Sequence, residues 1–320
     1  MRGNDSTPEA PSLAVYVCTH RRNDHLAVTI DSIVTSAKHA AGRARVGIVV
    51  VDDNPDGSAR SVVDGFADTT RGAGLDLGIH YRHSGAQNIS KARNLGIAAA
   101  MDLADWVGMV DDDEIVDDEW VAQLFAVAER TGADAVTGPV FVEYADDAPD
   151  WLRSQRIGRL FEAPQSVDGA AVDHASTGNS MISTAWLAAH PTHRFRDDLG
   201  TSGGEDMVFY RAAIGAGLRA HYALHAAARE VAPPERSTFE YVLRRSLWMG
   251  NTTAVTNLEA GLAGRGRLAV RALKSIAAAI AYPLRRLIRF RPPELRYTAA
   301  RITWAAGLVS GIGGYRQRHR

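Results

Sequence analysis

Short apolar segments alternate with helix-like segments through the first two-thirds of the chain, and this alternation limits the fold more than any other feature. Strands are predicted at residues 13–18, 46–51, 77–82 and 106–110, and helices at 24–39, 58–68, 90–102 (capped by Ser90) and 117–131. Strands joined by helices imply a mostly parallel sheet covered on both faces. The sequence therefore predicts an α/β fold whose ligands bind beyond the carboxyl ends of the strands.

The pattern changes after residue 135. Strands are predicted at 135–143 and 180–183, a helix begins near Thr184, and a polar loop at 196–204 leads into a helix that starts with Glu205 and Asp206. The glycines at 203 and 204 allow the backbone to approach a ligand, and carboxylates are favoured at a helix N-terminus. The acidic pair therefore either faces a ligand or only complements the helix dipole.

Three consecutive aspartates, Asp111, Asp112 and Asp113, follow the apolar run 106–110, and Glu114 comes next. Carboxylates repel one another and resist burial, so such a cluster needs a cation or hydrogen-bond donors. On an extended chain Asp111 and Asp113 point to one side and Asp112 to the other. Because Mg²⁺ and Mn²⁺ prefer oxygen ligands, the cluster predicts either a metal-assisted site for a phosphorylated ligand or a solvated acidic turn.

The composition narrows the class of protein. The chain has 320 residues, of which 46% are hydrophobic, so it can build a large core. Its single cysteine, Cys18, excludes an internal disulfide framework and fits a reducing cytoplasm. We find no signal-peptide pattern, no apolar stretch of the roughly 20 residues that span a bilayer, and no Gly-x-Gly-x-x-Gly, Gly-Lys-Ser/Thr or His-Glu-x-x-His motif. A cytoplasmic protein that is neither a dinucleotide oxidoreductase, a P-loop enzyme nor a zinc enzyme is expected.

Charge is distributed unevenly along the chain. Residues 265–320 contain thirteen Lys or Arg and one acidic residue, Glu294, whereas the whole chain has a net charge of −1. Apolar clusters alternate with these basic residues, and Pro283 predicts two short helices rather than one. The segment is either a pair of amphipathic helices on an anionic membrane or a helical lid with a basic outer face. Nucleic acid is not expected as a partner, because no binding motif accompanies the charge.

Five segments, taken in order, resemble motifs of glycosyltransferase family 2, the inverting enzymes with a GT-A fold. In the family these motifs are an opening strand with a nucleotide loop, an acidic loop at the nucleobase and ribose, an Ala-Arg-Asn-x-Gly segment near the diphosphate, an Asp-x-Asp metal motif and a Glu-Asp motif with the catalytic base. The segments here are 15–22, 50–54, 91–96, 110–113 and 203–206. In addition, residues 230–236 resemble a bacterial subgroup that acts in exopolysaccharide and glycolipid assembly.

The resemblance implies a metal site and a catalytic pair. It assigns a Mg²⁺ or Mn²⁺ ion to Asp111 and Asp113, with Glu230 as a third ligand where many GT-A enzymes have a histidine. His225 is the alternative third ligand. If Glu230 does not bind the ion, it is expected to be a solvated loop residue. The resemblance also implies a general base and a residue that orients the acceptor, which are Asp206 and Glu205.

The resemblance further implies a group of residues that bind the nucleotide sugar. Its members are Thr19, Arg21, Asp52, Asp53, Arg93, Asn94, Asp112, Gly178 and Asn179. Two alternatives stay open. One is that Arg21 and Arg93 form surface ion pairs. The other is that Asp52 or Asp53 only caps the turn at Asn54.

Together these observations predict a GT-A fold over residues 13–264, with a nucleotide-binding half (13–114) and an acceptor half (115–264). A flexible N-terminus (1–12) precedes it and a basic helical extension (265–320) follows. The implied activity is metal-dependent hexosyl transfer with inversion, from a nucleoside-diphosphate sugar, with UDP as the commonest nucleotide, to a saccharide, lipid-linked or glycolipid acceptor. The alternatives are a nucleotidyltransferase of similar architecture and a non-catalytic nucleotide-sugar or glycan-binding relative.

Overall fold

The structure is a computed structural model and describes residues 10–70, 74–162, 165–259, 261 and 263–317. The predicted N-terminal segment 1–12 lies almost wholly outside these residues. The chain divides into two compact units. The first comprises Met1–Val140, Pro164–Asp197 and Phe209–Arg229, and the second Phe141–Ala163, Asp198–Val208 and Glu230–Arg320. The predicted domain boundary at residues 264 and 265 falls inside the second unit and stays a prediction.

Ten strands are described: β1 (Ser12–Thr19), β2 (Arg45–Asp52), β3 (Gly78–His83), β4 (Trp106–Asp111), β5 (Glu114–Val116), β6 (Ala135–Thr137), β7 (Val140–Tyr144), β8 (Asn179–Ser183), β9 (Ala220–Tyr222) and β10 (Ala228–Ala232). Seven of them form one sheet in the order β3-β2-β1-β4-β8-β6-β9. Only β8 runs antiparallel to its neighbours β4 and β6. The predicted α/β fold with a mostly parallel sheet is confirmed.

The central strand β1 shows why this sequence forms a sheet covered on both faces. Its side chains alternate between two cores of the first unit: Leu13, Val15 and Val17 pack into one, and Tyr16 and Cys18 into the other. Every residue of β1 is buried. A continuous apolar run is therefore required here, because neither face of a central parallel strand meets water.

The described residues also form ten α-helices: α1 (Asn23–His39), α2 (Arg60–Thr70), α3 (Ile89–Met101), α4 (Trp120–Thr131), α5 (Asp150–Ser154), α6 (Thr184–Ala189), α7 (Glu205–Gly215), α8 (Phe239–Glu259), α9 (Arg265–Ile288) and α10 (Leu295–Ile312). The predicted cap of α3 is wrong. Asn88 is its N-cap and accepts a hydrogen bond from the Lys91 amide at 3.1 Å, whereas Ser90 is buried inside the helix. Asparagine is among the strongest N-caps because its side-chain oxygen replaces a missing helical acceptor.

The single strand predicted at 135–143 is two strands, β6 and β7, separated by Gly138 and Pro139. Proline has no amide hydrogen and cannot continue a strand ladder. A side chain at Gly138 is also excluded, because its Cβ would lie 2.0 Å from the Ala226 carbonyl oxygen. The break is therefore fixed by both residues.

The predicted interruption at Pro283 is wrong, because α9 continues through it to Ile288. Proline removes one helical hydrogen bond, but the residues on either side are anchored. The Tyr282 ring lies 4.8 Å from that of Tyr297, and Arg286 forms an ion pair with the buried Glu294 at 2.9 Å. Tertiary packing therefore holds the helix together across the proline.

Helices α8 and α10 of the second unit cross in close contact. A Cβ added to Gly250 would lie 1.9 Å from the Trp304 carbonyl oxygen, and one added to Gly307 would lie 2.0 Å from that of Leu247. Only glycine allows the two backbones to approach this closely. The packing gives α9 a fixed support, because Leu268 and Ala272 pack into the core that contains Leu308 of α10.

Candidate functional site

The aspartate triplet lies at the carboxyl end of β4, beside the end of β1. Strand pairing places Cys18 of β1 opposite Asp111, so the residues that follow β1 lie next to the triplet. From there, Arg22 Nη1 donates hydrogen bonds to Asp112 at 3.0 Å and to Asp113 at 2.9 Å. The positive charge that the carboxylate cluster requires is thus supplied within the first unit.

Asp112 is the buried member of the triplet, with 6% of its surface exposed. Its carboxylate accepts a hydrogen bond from Thr19 Oγ1 at 2.7 Å, and its backbone carbonyl accepts one from Thr29 Oγ1 at 3.0 Å. Burial raises the pKa of Asp112 to about 6, although Arg22 and Thr19 oppose this shift. Asp112 therefore ties the loop after β4 to β1 and α1.

The expectation that Asp111 and Asp113 share one side is not met. Strand β4 ends at Asp111 and the chain turns at once, so Asp113 shares Arg22 with Asp112. Asp111 instead has a side chain 42% exposed and accepts a hydrogen bond from Arg93 Nη2 at 3.1 Å. The alternation of an extended strand did not apply beyond its last residue.

Arg93 and Glu114 both contact Asp111, and Gly178 leaves room for the Glu114 side chain. The Arg93 guanidinium is buried, and its Cζ lies 5.7 Å from the centre of the Phe195 ring, which fixes its direction. The Asp111 amide donates to Glu114 Oε2 at 3.2 Å. A Cβ at Gly178 would lie 2.3 Å from Glu114 Oε1, so glycine is needed there to leave room for that carboxylate.

Two aspartates at the carboxyl end of β2 organise loops: Asp52 is the last residue of the strand and Asp53 follows it. Asp52 is fully buried and accepts hydrogen bonds from the amides of Asn54 at 2.9 Å and Ala59 at 2.7 Å. Asp53 accepts from the amides of Ala86 at 3.0 Å and Asn88 at 2.7 Å. The contacts of Asp52 match the turn-capping alternative, whereas Asp53 holds the loop that precedes α3. Any contact of either residue with a nucleotide stays a prediction.

Three other residues predicted to bind the nucleotide sugar also contact the protein itself. Arg21 has a φ of 59° and its Nε donates to Asn54 Oδ1 at 3.3 Å. Asn94 makes two hydrogen bonds with the backbone of Phe195, at 2.8 and 2.9 Å. Asn179 is fully buried; it accepts from Trp120 Nε1 and donates to the carbonyls of Pro139 and Ala226. Because both amide hydrogens of Asn179 are used, we omit it from the proposed donor site.

The predicted catalytic pair opens helix α7 in the second unit. Glu205 is buried, whereas the side chain of Asp206 is partly exposed and accepts from the Met207 amide at 2.7 Å. The loop before them has φ values of 80° at Gly203 and 86° at Gly204. Trp248 of α8 holds this loop, because its Nε1 donates to the Ser202 carbonyl at 3.1 Å. Asp206 is therefore the more accessible carboxylate of the pair.

Replacing Gly203 by alanine is expected to damage this loop. The new Cβ would lie 2.3 Å from Trp248 Cζ2 in addition to adopting a left-handed conformation. Gly217 is a matched control, because its φ is 98° and nothing lies within 4 Å of an added Cβ. Gly217→Ala is expected to cost about 1–2 kcal/mol, and Gly203→Ala at least about 1 kcal/mol more. Denaturant unfolding measures both, and equal costs would contradict this account of the loop.

The proposed third metal ligands differ in their surroundings. Glu230 forms an ion pair with Arg236, and His225 is exposed. In the described part of the chain, no group of three His, Cys, Asp or Glu side chains is placed to hold a metal ion. Mg²⁺ is commonly held by one or two carboxylates together with substrate phosphates. Asp111 and Asp113 carry oxygen ligands of this kind, and a divalent ion held by them together with a nucleotide stays a prediction.

Two residues that contact these groups were not predicted as site residues. Arg22 ends the segment 15–22 that resembles the family's opening motif, and in the structure it bridges Asp112 and Asp113. Trp248 packs on Gly203. The position of Arg22 just after a strand that pairs with β4 was a usable signal. Nothing in the local sequence linked Trp248 to a loop more than forty residues away.

The fold resembles that of several solved structures. The solved structures of S. aureus TarS 1–349 in complex with UDP and with UDP-GlcNAc each match with a TM-score of 0.50 over 95% of this chain and 92% of theirs, at 14% and 12% identity. The structure of GalNAc-T7 with UDP, GalNAc and Mn²⁺ matches with a TM-score of 0.51 over 78% of this chain and 50% of that one, at 15% identity. The likeness confirms the predicted GT-A type of fold.

Sequence comparison identifies the family. The family model described as "Glycosyl transferase family 2" matches residues 14–190. The succinoglycan biosynthesis protein ExoM of Rhizobium meliloti (strain 1021) is 30% identical over 316 residues, which cover 97% of this chain and 95% of that protein. The chain belongs to glycosyltransferase family 2, and the predicted class of enzyme is confirmed.

Proposed function

We propose that this glycosyltransferase moves a hexosyl group with inversion from a UDP-sugar to a hydroxyl of a saccharide, lipid-linked or glycolipid acceptor in exopolysaccharide assembly. The observation that carries the proposal is the carboxylate triplet at the end of β4, held by Arg22 and Arg93. The relative ExoM, which aligns over nearly the whole chain, is a succinoglycan biosynthesis protein, and the structures of TarS and GalNAc-T7 contain UDP. These likenesses support the choice of donor and acceptor.

The donor end of the reaction is assigned to residues of the first unit. Asp111 and Asp113 would hold a Mg²⁺ or Mn²⁺ ion, which stabilises the departing diphosphate as a Lewis acid when bound. Arg93 is buried and directed at Asp111, so it keeps that carboxylate in place and contributes a fixed positive charge near the diphosphate. Asp112 and Thr19 hold the loop in position.

The acceptor end is assigned to the loop that opens α7. Asp206 would remove the proton of the attacking hydroxyl, because it is the more accessible carboxylate, and the buried Glu205 would orient the acceptor. A positioned carboxylate base contributes about 10²- to 10⁴-fold to the rate. Gly203 and Trp248 fix the direction in which α7 begins.

A donor screen tests the proposal. Among UDP-, GDP-, TDP- and CMP-sugars, a UDP-sugar is expected to raise the melting temperature when Mn²⁺ is present and to raise it less without the ion. A ligand at 100 times its dissociation constant stabilises the folded protein by about 2.7 kcal/mol, which is readily measured. Release of UDP on addition of an oligosaccharide acceptor then reports transfer. A shift with a different nucleotide class, or none with any donor, would contradict the assignment.

We also propose that transfer takes place on the cytoplasmic side of the cell membrane, with the protein bound peripherally. The single cysteine and the basic C-terminal segment support this location. No helix in the described part of the chain is both long and apolar enough to span a bilayer.

A further inference from the structure

Helix α9 buries only one of its faces. Leu268, Ala272, Ser275 and Ala279 are buried and recur at intervals of three or four residues. Such spacing places them on one side of the helix. Arg301 of α10 donates to Ser275 Oγ at 3.1 Å, which shows that this side faces α10. Among the described residues, the buried positions of α9 all lie on this side.

A second face of α9 is apolar and exposed. Its large side chains are here called the apolar row: Val270, Leu273, Ile280, Leu284 and Leu287. Each is at least half exposed. They follow one another at intervals of three, seven, four and three residues. Ala277, which is also exposed, fills the long interval. Beyond the end of the helix, Phe290 is also apolar and is 99% exposed. A continuous row of this length is unusual on a soluble protein and marks a contact surface.

The third face is basic. With about 100° of rotation per residue, Arg267, Lys274 and Arg285 lie on one side of the helix, about a third of a turn from both the buried face and the apolar row. Residues 265–291 contain eight Lys or Arg and no Asp or Glu. The helix thus offers an apolar row and a basic row side by side, while its remaining face is held by α10.

We infer that α9 docks on an anionic lipid surface, with the apolar row inserted between the lipids and the basic row against their headgroups. Amphipathic helices in the membrane interface combine these two features. A second copy of this chain would bring the same basic row, Arg267, Lys274 and Arg285, near that of the first, which is unfavourable. An anionic surface instead attracts them, and each basic residue near such a surface strengthens binding. The inference deepens the proposed peripheral location and makes the apolar row its contact surface.

Vesicle sedimentation with the full chain tests this inference. The wild-type protein is expected to sediment with phosphatidylglycerol-containing vesicles, less so at high salt, and to bind pure phosphatidylcholine vesicles weakly. A variant with Leu273→Ser, Ile280→Ser and Leu284→Ser is expected to lose about 10²- to 10³-fold in partitioning, because three inserted apolar side chains are removed. All three side chains are exposed, so the variant is expected to fold normally.

Charge variants test the basic row separately. Lys274→Glu with Arg285→Glu is expected to abolish the preference for anionic vesicles, whereas Lys38→Glu with Arg43→Glu, at exposed positions of the first unit, is the control and is expected to leave it unchanged. Wild-type binding by the triple serine variant, or equal binding of wild type to both kinds of vesicle, would overturn the inference. So would a wild-type dimer that the serine variant converts to monomers without any vesicle binding.

The same variants keep this inference separate from the proposed reaction. Transfer to a soluble oligosaccharide is expected to be unchanged in all of them, because none of the altered residues belongs to the groups around Asp111 or Asp206. Loss of vesicle binding with normal transfer supports the inference. Normal vesicle binding without transfer from any nucleotide sugar contradicts only the proposed function.

Discussion

Replacing Asp206 by asparagine is expected to lower kcat for sugar transfer by about 10²- to 10⁴-fold, because the change removes the general base. Asparagine has nearly the same shape and keeps an oxygen that can accept from the Met207 amide. The start of α7 is therefore expected to keep its structure. Binding of the donor is expected to be unchanged, since the base acts on the acceptor hydroxyl. Single-turnover transfer and donor titration measure the two effects independently.

Asp150→Asn is the matched control for this variant. Asp150 is also in the first turn of a helix of the second unit, but its side chain is 94% exposed. This control is expected to transfer sugar at the wild-type rate. Near-normal transfer by Asp206→Asn would show that another group is the base. If Asp206→Asn lost both donor binding and transfer, Asp206 would have a structural role.

Substitutions in the triplet at the end of β4 are expected to have two different effects, one on catalysis and one on stability. Asp113→Asn should lower kcat/KM by about 10²- to 10³-fold with little change in melting temperature, because Asp113 is assigned to the diphosphate and its ion. Asp112→Ala should instead reduce the free energy of unfolding by about 1–3 kcal/mol. It leaves the buried Thr19 hydroxyl without the acceptor that it uses at 2.7 Å.

Activity and unfolding must be measured on both variants, because either readout alone is ambiguous. Wild-type Mn²⁺ dependence of transfer in Asp113→Asn would remove Asp113 from the proposed ion site. If the two substitutions gave equal losses of stability and left donor binding intact, the triplet would be an acidic turn that only organises the fold. Asp112→Asn serves as a milder companion to the alanine change, since it keeps an acceptor for Thr19 and removes the charge.

Sequence patterns predicted most of the first unit. The strands β1 to β4 were found within about one residue of their ends, because buried parallel strands are short apolar runs between turn residues. Errors occurred where tertiary contacts decided the local structure. Packing of Tyr282 and Arg286 kept α9 continuous through Pro283, and the cap of α3 moved from Ser90 to Asn88.

The candidate site was predicted less completely than the fold. The residue types were apparent from their motifs, but the partners of each side chain were not. Asn94 and Asn179 use their amides on the protein backbone, and Asp52 and Asp53 accept hydrogen bonds from loop amides. Such contacts join residues that are distant in sequence or depend on the direction of a turn, so no local pattern contains them.

The sequence by itself determined the class of the fold, the family and the order of the motifs, because these depend on hydrophobic periodicity and on short runs of residues. The tertiary structure alone decided which carboxylate of the triplet is buried and which arginine holds it. Strand β4 ends at Asp111, and the pairing of β1 with β4 brings Arg22 to Asp112 and Asp113. The chain turns there, so the roles of neighbouring aspartates follow from their contacts and not from their spacing.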